Sequence, residues 1–447
     1  MKSFNLEKIL MDRKIPVYVL LLTLFIGSSI TVSFGWAVRH VLIAKYDGNA
    51  SSRLDAFGDA LLTIAKFPSL LKETNREIIV GGRQVIEDRF PDLDGFKKSG
   101  RIQKGALDDK GYLLLSTYDN DLRQSIVQLI RLSDQQILYE LVPDIETIEV
   151  LLNTEIIKST FLIMHPFFLK DGGLVFHDSF NPLFKIDSSG SIEWYIDDIY
   201  HHSIEPDAEG NIWVCSYWDD SDFGSDAISK ISPAGEVLYK KNVGIILEEN
   251  GYRGLLAAGL QQDPIHLNDV QPALTDSKFW KKGDLFLSMR NRSTIALYRP
   301  STDKIIWLKT GPWLNQHDVD IVNDHQISVF GNDVIDQSNW KFINGHNNVY
   351  IYDFITDAVT TPYNEMMKSM EVRTETQGLC KVLSNGNVFI EESDEGRILR
   401  LSPDMVKWEF VRRVDENHLT RFNWSRYLTE EKVRSVFPKL QNSSYNQ

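Results

Sequence analysis

Residues 207–218 read DAEGNIWVCSYW, and residues 228–241 read ISKISPAGEVLYKK. Both stretches combine a Gly, Asn or Asp turn with short apolar runs, the pattern of strands joined by tight turns. The same order of turn and strands occurs in six units, which open at residues 108, 170, 207, 281, 322 and 383. Radial repetition of this kind predicts an all-β fold, a six-bladed β-propeller over residues 105–413. An irregular β-sandwich is the alternative, but a sandwich does not require the repeated order.

The composition narrows the classes of function. With 447 residues, 43% of them hydrophobic and 25% charged, the chain can bury a large core. The net charge of −14 argues against a nucleic-acid-binding protein, which needs a basic surface to meet phosphates. A small anionic ligand is not excluded, because one Arg or Lys can bind it. The two cysteines, Cys215 and Cys380, fit no Cys-x-x-Cys spacing and are expected in the core, although an exported protein could pair them.

An uncharged run precedes the repeats. Residues 15–38 lie between Lys14 and Arg39 and can span a hydrocarbon core of ~30 Å at ~1.5 Å per residue. The run is longer than the apolar part of a signal peptide and has Trp36 near its end, so it predicts an uncleaved transmembrane anchor rather than a cleaved signal. A slight excess of basic residues before the run places residues 1–14 in the cytoplasm. The main domain would then lie outside the cytoplasm, on the periplasmic side in a bacterium.

Two further segments flank the repeats. Residues 39–104 carry apolar residues at largely helical spacing and predict a short helical stalk or linker. Residues 414–447 predict a C-terminal helical tail, in which Thr429 starts a helix with Val433 and Val436 on one face. We expect this tail to pack on the outside of the propeller.

Four of the ten His residues, His165, His202, His266 and His317, precede the turn that opens a repeat. Because the innermost strand of each blade runs along the central channel, equivalent residues of different blades converge on its axis. One His alone is more often structural, but a set at equivalent places favours a functional site. Three His can also bind zinc, yet no carboxylate or Cys recurs with them, and Arg290 in the same site would repel a cation. The pattern therefore favours a site without metal.

Four short motifs occur in a fixed order along the chain. They are His-His at 201–202, H-x-N at 266–268, S-x-R at 288–290 and W-x-x-Q-H at 313–317. Together they resemble the bacterial arylsulfotransferase family, and the similarity covers roughly residues 165–440. The resemblance implies an enzyme that moves a sulfuryl group from an aryl sulfate donor to a phenolic or other hydroxyl acceptor.

The resemblance also implies roles for individual residues. His317 would be the nucleophile that becomes sulfated, with Gln316 and Asp318 beside it to fix its tautomer. The other catalytic residues would be His202, His266 and Arg290, and the substrate-binding residues would be His201 and Asn268, the latter orienting His266. The chain departs from the family pattern at Ser203, where members often have Asp.

These residue types suit sulfuryl transfer. A neutral imidazole can attack sulfur without anion–anion repulsion, and a guanidinium can hold the sulfuryl oxygens with two parallel hydrogen bonds. A second His can protonate the leaving phenolate and deprotonate the acceptor. The reaction requires no cofactor, and the sequence lacks the G-x-x-x-x-G-K-[ST] motif expected for a nucleotide phosphosulfate donor.

Two functions from other classes remain open at this point. The propeller could be a non-catalytic, membrane-anchored module that binds a partner at the cell envelope. The segment DSSGSIEW at 187–194 is also similar to the repeats of quinone-cofactor dehydrogenase propellers. That class predicts a Ca²⁺ site and a fuller Trp motif in most blades, which the sequence does not display.

The predicted anchor leads to a test. We expect the full-length chain to sediment with membranes, and a protease added from outside to digest the domain after residue 50, because the basic flank holds the N-terminus inside. Fractionation followed by proteolysis of intact and lysed cells measures both properties. Recovery of a soluble form that begins near residue 40 would instead show that the run is cleaved.

Overall fold

The computed structural model describes residues 17–46, 63–64, 84–98, 101–102, 107–178, 181–218, 224–257, 263–337 and 340–441. The chain divides into two compact units, Met1–Ile78 and Ile79–Gln447.

The first unit contains helix α1 (Val17–Tyr46). Its segment Leu21–Val38 is apolar and long enough to cross a membrane by length and composition. The hydroxyl groups of Thr23, Ser29 and Thr31 donate to carbonyl oxygens four residues earlier at 2.8–2.9 Å. The helix therefore satisfies these polar side chains internally, as a hydrocarbon environment requires.

The second unit is built mainly from β-strands. In its first half these are β1 (Val85–Glu87), β2 (Gly95–Lys98), β3 (Arg101–Ile102), β4 (Tyr112–Asp119), β5 (Gln124–Arg131), β6 (Gln136–Leu141), β7 (Met164–Phe168), β8 (Leu174–His177), β9 (Asn181–Ile186), β10 (Ile192–Pro206), β11 (Ile212–Tyr217), β12 (Asp226–Ile231) and β13 (Val237–Asn242). In its second half they are β14 (Leu267–Pro272), β15 (Leu285–Met289), β16 (Thr294–Arg299), β17 (Lys304–Thr310), β18 (Val319–Ile321), β19 (Gln326–Gly331), β20 (Val334–Gln337), β21 (Trp340–Ile343), β22 (Asn348–Asp353), β23 (Ala358–Thr360), β24 (Leu379–Val382), β25 (Val388–Glu392), β26 (Arg397–Ser402), β27 (Met405–Val411), β28 (His418–Thr420) and β29 (Arg426–Leu428).

Short helices connect or follow the strands. They are α2 (Ile145–Leu152), α3 (Val243–Glu249), α4 (Asn364–Ser369) and α5 (Glu430–Gln441), together with 3₁₀ turns at Arg253–Leu255, Arg290–Arg292 and Ser393–Glu395. Helix α5 matches the helix predicted from Thr429 onward, and its Val433 and Val436 are buried as expected.

The strands form a propeller-like arrangement of antiparallel meanders. Four sheets each contain one four-stranded meander: β29-β4-β5-β6, β14-β15-β16-β17, β18-β19-β22-β23 and β24-β25-β26-β27, the last extended by β2 and β3. A seven-stranded sheet runs in the order β13-β12-β11-β10-β9-β8-β7, and β1-β28 and β20-β21 form two-stranded sheets. The all-β, propeller-like prediction is thus confirmed.

Strand β10 is unusually long. Its 15 residues pair with β9 from Ile192 to Tyr200 and with β11 from Tyr200 to Pro206. One continuous strand therefore serves two successive meanders, and the sequence pattern did not reveal this continuity.

Both segments predicted as helical flanks also contain strands. Residues 84–102 of the predicted stalk contain β1 to β3, and β2 pairs with β27. Residues 414–428 of the predicted tail contain β28 and β29, and β29 pairs with β4 to complete its sheet. The sequence analysis missed β28 and β29 in the tail because a strand of three residues is too short to display an alternating pattern. Most of the predicted stalk before Gln84 lies outside the described residues.

Both cysteines are free and buried, as predicted for core residues. Cys215 lies in β11 and packs with residues of β14 and β15, whereas Cys380 lies in β24 and packs with residues of β25 and β26. The core thus fills the spaces between neighbouring sheets, which is where a propeller buries its apolar side chains.

One buried carboxylate joins β25 to the returning C-terminal segment. Glu391 is fully buried and accepts the backbone N–H of Trp424 at 2.8 Å and that of Ser425 at 2.6 Å. Ser393 Oγ donates to the same carboxylate at 2.7 Å. This clamp positions the segment that leads into β29.

Replacing Glu391 by Ala should destabilise the domain. Two buried backbone N–H groups would lose their acceptors, at about 1–3 kcal/mol each, so we expect the free energy of unfolding to fall by about 2–6 kcal/mol. Thermal or urea unfolding in detergent measures the change, with the exposed Glu416→Ala as the control. Equal stability of the two variants would show that the clamp does not hold the C-terminal segment.

Candidate active site

Neighbouring sheets are joined along the axis by one repeated hydrogen bond. In each case a side chain of one innermost strand accepts a backbone N–H of the next: Ser203 Oγ from Val270 at 3.0 Å, Asp269 Oδ2 from Val319 at 3.0 Å and Asp318 Oδ2 from Cys380 at 2.8 Å. The three acceptors are therefore structurally equivalent. So are the residues that precede them, namely His202, Asn268 and His317.

This equivalence corrects the sequence alignment at one position. His202 and His317 correspond as predicted, but their counterpart in β14 is Asn268, and His266 comes from two residues earlier. His165, His202 and His266 all have left-handed backbone angles, with φ between 49° and 56°. Register shifts include His165 in β7 and His202 in β10, and a third follows His266 in β14, between Leu267 and Asp269. Such bulges change the direction of a side chain.

The equivalence also accounts for the departure at Ser203. Its hydroxyl makes the same inter-sheet bond that the carboxylates of Asp269 and Asp318 make. A serine at this place therefore keeps the connection between the sheets.

The predicted histidines form one contact group. The ring of His202 lies 4.9 Å from His201, 5.2 Å from His266 and 5.7 Å from His317, measured between ring centroids. Each of these separations is within contact range for aromatic rings. The structure thus brings together the four histidines implied for the site by the family resemblance, His201, His202, His266 and His317.

His317 has a defined tautomer. Asn332 uses its Nδ2 to donate to the carbonyl oxygens of Thr374 and Gln377, so its Oδ1 must be the atom that faces His317 Nδ1 at 3.0 Å. The backbone N–H of Gln377 donates to His317 Nε2 at 3.1 Å. The ring proton is therefore on Nδ1, and Nε2 carries the lone pair.

The residues expected to orient these rings act elsewhere. Gln316 donates to Ser288 Oγ and to the Thr294 carbonyl, and Asp318 accepts from the Cys380 N–H. The residues that hold the His317 ring are instead Asn332 and Gln377. These two residues are 15 and 60 positions from His317, beyond the reach of a local sequence pattern.

Asn268 does not orient His266 either. Its Nδ2 donates to the carbonyl oxygen of Gln316 at 3.1 Å, and its buried Oδ1 has no partner among the described residues. His266 is held instead by Asp263, whose carboxylate accepts its backbone N–H at 2.9 Å and contacts Nδ1 at 2.5 Å.

His201 and His202 form a directed pair. The carbonyl oxygen of Ser216 can only accept a hydrogen bond, so His201 Nε2, at 3.2 Å, carries the proton. His201 Nδ1 must then accept from His202 Nδ1–H at 2.7 Å. In the neutral ring of His202 the unprotonated nitrogen is therefore Nε2. His201 is 4% exposed and lies behind His202.

The electrostatic environment keeps most of these rings neutral. Burial, reinforced by neighbouring positive charge, holds the pKa of His165, His202 and His317 well below its usual value. Burial also lowers the pKa of His201 to about 3. Among the described residues, no group of three or more His, Cys, Asp or Glu could hold a metal ion.

Arg290 lies at the same place, where β15 ends in a 3₁₀ turn. Its backbone N–H donates to the His266 carbonyl at 3.0 Å, and its guanidinium donates to Asn291 Oδ1 at 3.0 Å. After burial, the charge of Arg290 is the largest factor that lowers the pKa of His317, and Arg421 adds to it. Two guanidinium groups beside a neutral imidazole favour an anionic ligand.

Trp424 is a site residue that the sequence analysis missed. It is fully buried with a φ of 63°, contacts the ring of His165, and lies 5.6 Å from His317 and 6.2 Å from His202. The indole N–H has no acceptor among the described residues. Trp424 falls in the segment predicted as an outer tail, and a single Trp before a short strand gave no signal of its place.

The tautomer of His317 can be measured directly. With ¹⁵N-labelled histidine, we expect multiple-bond NMR spectra to show His317 as the neutral Nδ1–H form from pH 8 to pH 5, because burial and Arg290 lower its pKa. Asn332→Ala removes the acceptor of that proton and should shift the ring signals toward a mixture of tautomers. Asn417→Ala, an exposed change, is the control. An unchanged spectrum in Asn332→Ala would show that Asn332 does not fix the ring.

The sequence model of the arylsulfotransferase (ASST) family matches residues 172–413. No curated protein sequence gives a match. Similar solved structures include a protein of unknown function from Bacteroides caccae (12% identity, covering 72% of this chain and 100% of that chain, TM-score 0.45) and the WD40 β-propeller domain of Doa1 (14%, 76% and 99%, TM-score 0.42). A third is TolB from Acinetobacter baumannii (10%, 74% and 69%, TM-score 0.43), and at these scores the similarities carry no inference about function.

The matched region covers more than half of the 447 residues. It contains the paired histidines, His266, Arg290 and His317, which the structure places in one contact group. The chain belongs to the arylsulfotransferase (ASST) family.

Proposed function

We propose that the protein moves a sulfuryl group from an aryl sulfate to a phenolic or other hydroxyl acceptor through a sulfohistidine at His317. The proposed reaction uses no nucleotide phosphosulfate. The observation that carries this proposal is the buried, neutral imidazole of His317, whose proton is held at Nδ1 beside the charge of Arg290. A neutral nucleophile next to a guanidinium is what attack on a sulfate monoanion requires.

In the proposed first step, His317 Nε2 attacks sulfur and the bond from sulfur to the phenolic oxygen breaks. The lone pair of Nε2 is engaged by the N–H of Gln377 at 3.1 Å before attack. A hydrogen bond of this kind contributes about 0.5–1.5 kcal/mol net, which is small against the barrier for the chemistry. The displaced N–H would then lie close to the incoming sulfuryl oxygens.

Three groups support binding of the sulfuryl oxygens. Arg290 and Arg421 both act on His317 through their charge. The indole N–H of Trp424 is a buried donor without an acceptor among the described residues, and its ring lies against that of His317. Donors fixed before the reaction stabilise developing charge at little reorganisation cost.

The remaining histidines support proton transfer. His202 and His266 lie next to each other and, through His202, next to the nucleophile. In the proposed second step an acceptor hydroxyl attacks the sulfated His317 after loss of its proton, and the nitrogen–sulfur bond breaks. Donor and acceptor would use one pocket in turn, with ping-pong kinetics. His201 would act through His202, and Asn268 Oδ1 is available to the substrate.

We also propose that the fold has six blades and that α1 anchors it in a membrane, with the propeller outside the cytoplasm. The seven-stranded sheet would supply two blades that share β10, since the two parts of this strand pair with different neighbours. The four separate meanders would supply the rest. The length and apolar composition of Leu21–Val38 support the anchor.

Mass spectrometry tests the nucleophile. Protein quenched after mixing with aryl sulfate alone should gain the mass of a sulfuryl group on the peptide that contains His317. His317→Ala should lose the label and both half-reactions, because no other group would hold the intermediate. His325→Ala, at a surface turn, is the control and should keep both.

Arg290→Ala separates the nucleophile from its electrostatic support. It should still form the sulfated peptide, but about 10²–10³ times more slowly, as expected when an oxyanion donor is lost. A label on another peptide, or full turnover by His317→Ala, contradicts the assignment. A wild-type protein with neither label nor turnover would instead be a non-catalytic binding module.

A further inference from the structure

Asp263 holds His266 through both of its carboxylate oxygens. Oδ1 accepts the backbone N–H of His266 at 2.9 Å, and Oδ2 contacts the ring Nδ1 at 2.5 Å. Asn291 Nδ2 donates to the Asp263 carbonyl at 2.8 Å, and Asn291 Oδ1 accepts from Arg290. Asp263 and Asn291 contact each other, and between them they hold the His266 ring and the Arg290 guanidinium.

A second carboxyl group lies behind this pair. Asp226 is 8% exposed and hydrogen-bonds to Asp263. Burial raises the pKa of Asp226, and the charge of Asp263 raises it further, so Asp226 binds a proton more readily than Asp263 does. Burial acts in the same direction on Asp263, but the hydrogen bond and charge of His266 outweigh it and leave its pKa below the usual value. Asp263 is therefore the ionised member of the two carboxyl groups.

The ring partners distinguish His266 from its neighbours. His202 donates its Nδ1 proton to the neutral ring of His201, and His317 donates its own to the amide of Asn332. Burial keeps both rings neutral, so neither has a second ring proton to give. His266 Nδ1 instead faces a carboxylate, which can accept the Nδ1 proton and leaves Nε2 as the ring nitrogen available to a substrate.

We infer that Asp263, supported by Asp226, makes His266 the proton carrier of the transfer reaction. This role rests on the proposed function. In the first half-reaction the bond from sulfur to the phenolic oxygen breaks, the bond from His317 Nε2 to sulfur forms, and His266 Nε2–H gives its proton to the phenolate. In the second, His266 Nε2 takes the acceptor's proton while the acceptor oxygen bonds to sulfur and the nitrogen–sulfur bond breaks. Asp263 and Asp226 are positioning residues in this scheme.

Several charged or titratable groups face His266. They are Asp263, Asp226, His201, His202 and His317, and Arg292 acts on Asp263 from the adjoining 3₁₀ turn. Arg292 favours the ionised form of Asp263. The Asp263 carboxylate therefore keeps its negative charge next to the ring nitrogen of His266.

Asp263→Asn in the full-length protein tests the role, because it keeps the shape of the side chain and removes its charge. With 4-nitrophenyl sulfate, whose phenolate leaves without protonation, the rate of His317 sulfation should stay near that of the wild type. With phenyl sulfate it should fall on the order of 100-fold, the lower end of what general acid–base catalysis contributes. Transfer from sulfated protein to phenol should fall similarly, and transfer to 4-nitrophenol should not.

The chain offers a matched control. Asp415 contacts His418 Nδ1 at 2.8 Å with the same spacing of three residues and nearly the same exposure, but this pair lies at the start of β28, outside the contact group of histidines. Asp415→Asn should leave every rate unchanged. Asp226→Asn retains an N–H that can donate to Asp263 and should keep most of the activity with phenyl sulfate, whereas Asp226→Leu should lose it.

Each outcome decides the question. A loss of equal size with both donors would show that Asp263 only maintains the structure, and an unchanged rate with phenyl sulfate would show that His266 needs no carboxylate; either result overturns the inference. Absence of sulfated His317 in the wild-type protein would defeat the proposed function itself. That result is distinguishable, because it appears before any variant is compared.

Discussion

A repeated hydrogen bond that joins three innermost strands to the next connects the fold to the site. A backbone N–H at the axis has no strand beyond it, and leaving it buried and unpaired costs about 1–3 kcal/mol. Ser203, Asp269 and Asp318 supply the acceptors. Because each acceptor directly follows an axial residue, the contact that connects two sheets also fixes the side chain that precedes it. The connection between these sheets and the alignment of His202 and His317 therefore depend on the same bonds.

Burial lowers the pKa of the His202 and His317 rings alike, whereas the hydrogen-bond partner of Nδ1 differs from one ring to the next. Desolvation lowers the pKa of His202 and His317 well below its usual value, and each pKa unit corresponds to about 1.4 kcal/mol. An amide holds His317, a neutral ring holds His202, and a carboxylate holds His266. One amino-acid type is thus held in three different ways within one contact group. The roles proposed for His317 and His266 follow from the side chains that hold their rings.

The sequence indicated the repeated meanders and the residues that meet at the axis, because both follow from local patterns: turn residues between apolar runs, and His or Arg in ordered motifs. It could not indicate Asn332, Asp263 or Trp424 as site residues. Each of these owes its role to contacts that only the folded chain makes, and none has a distinctive neighbour in sequence. His266 was placed correctly in the site for a partly wrong reason, since Asn268 is the true equivalent of His317. A repeat alignment cannot detect a two-residue offset that a bulge absorbs.

The serine at 203 also bears on the charge of the axis. Burial raises the pKa of Asp269 and Asp318, and nearby carboxylates, Glu205 for the former and Asp320 for the latter, raise it further. A carboxylate at 203 would add another acid to this buried set, close to where a sulfate anion is proposed to bind. The hydroxyl of Ser203 accepts the same backbone N–H and hydrogen-bonds to Asp269 without adding charge. The departure from the family pattern thus preserves the connection between the sheets without adding another ionisable group to this buried set.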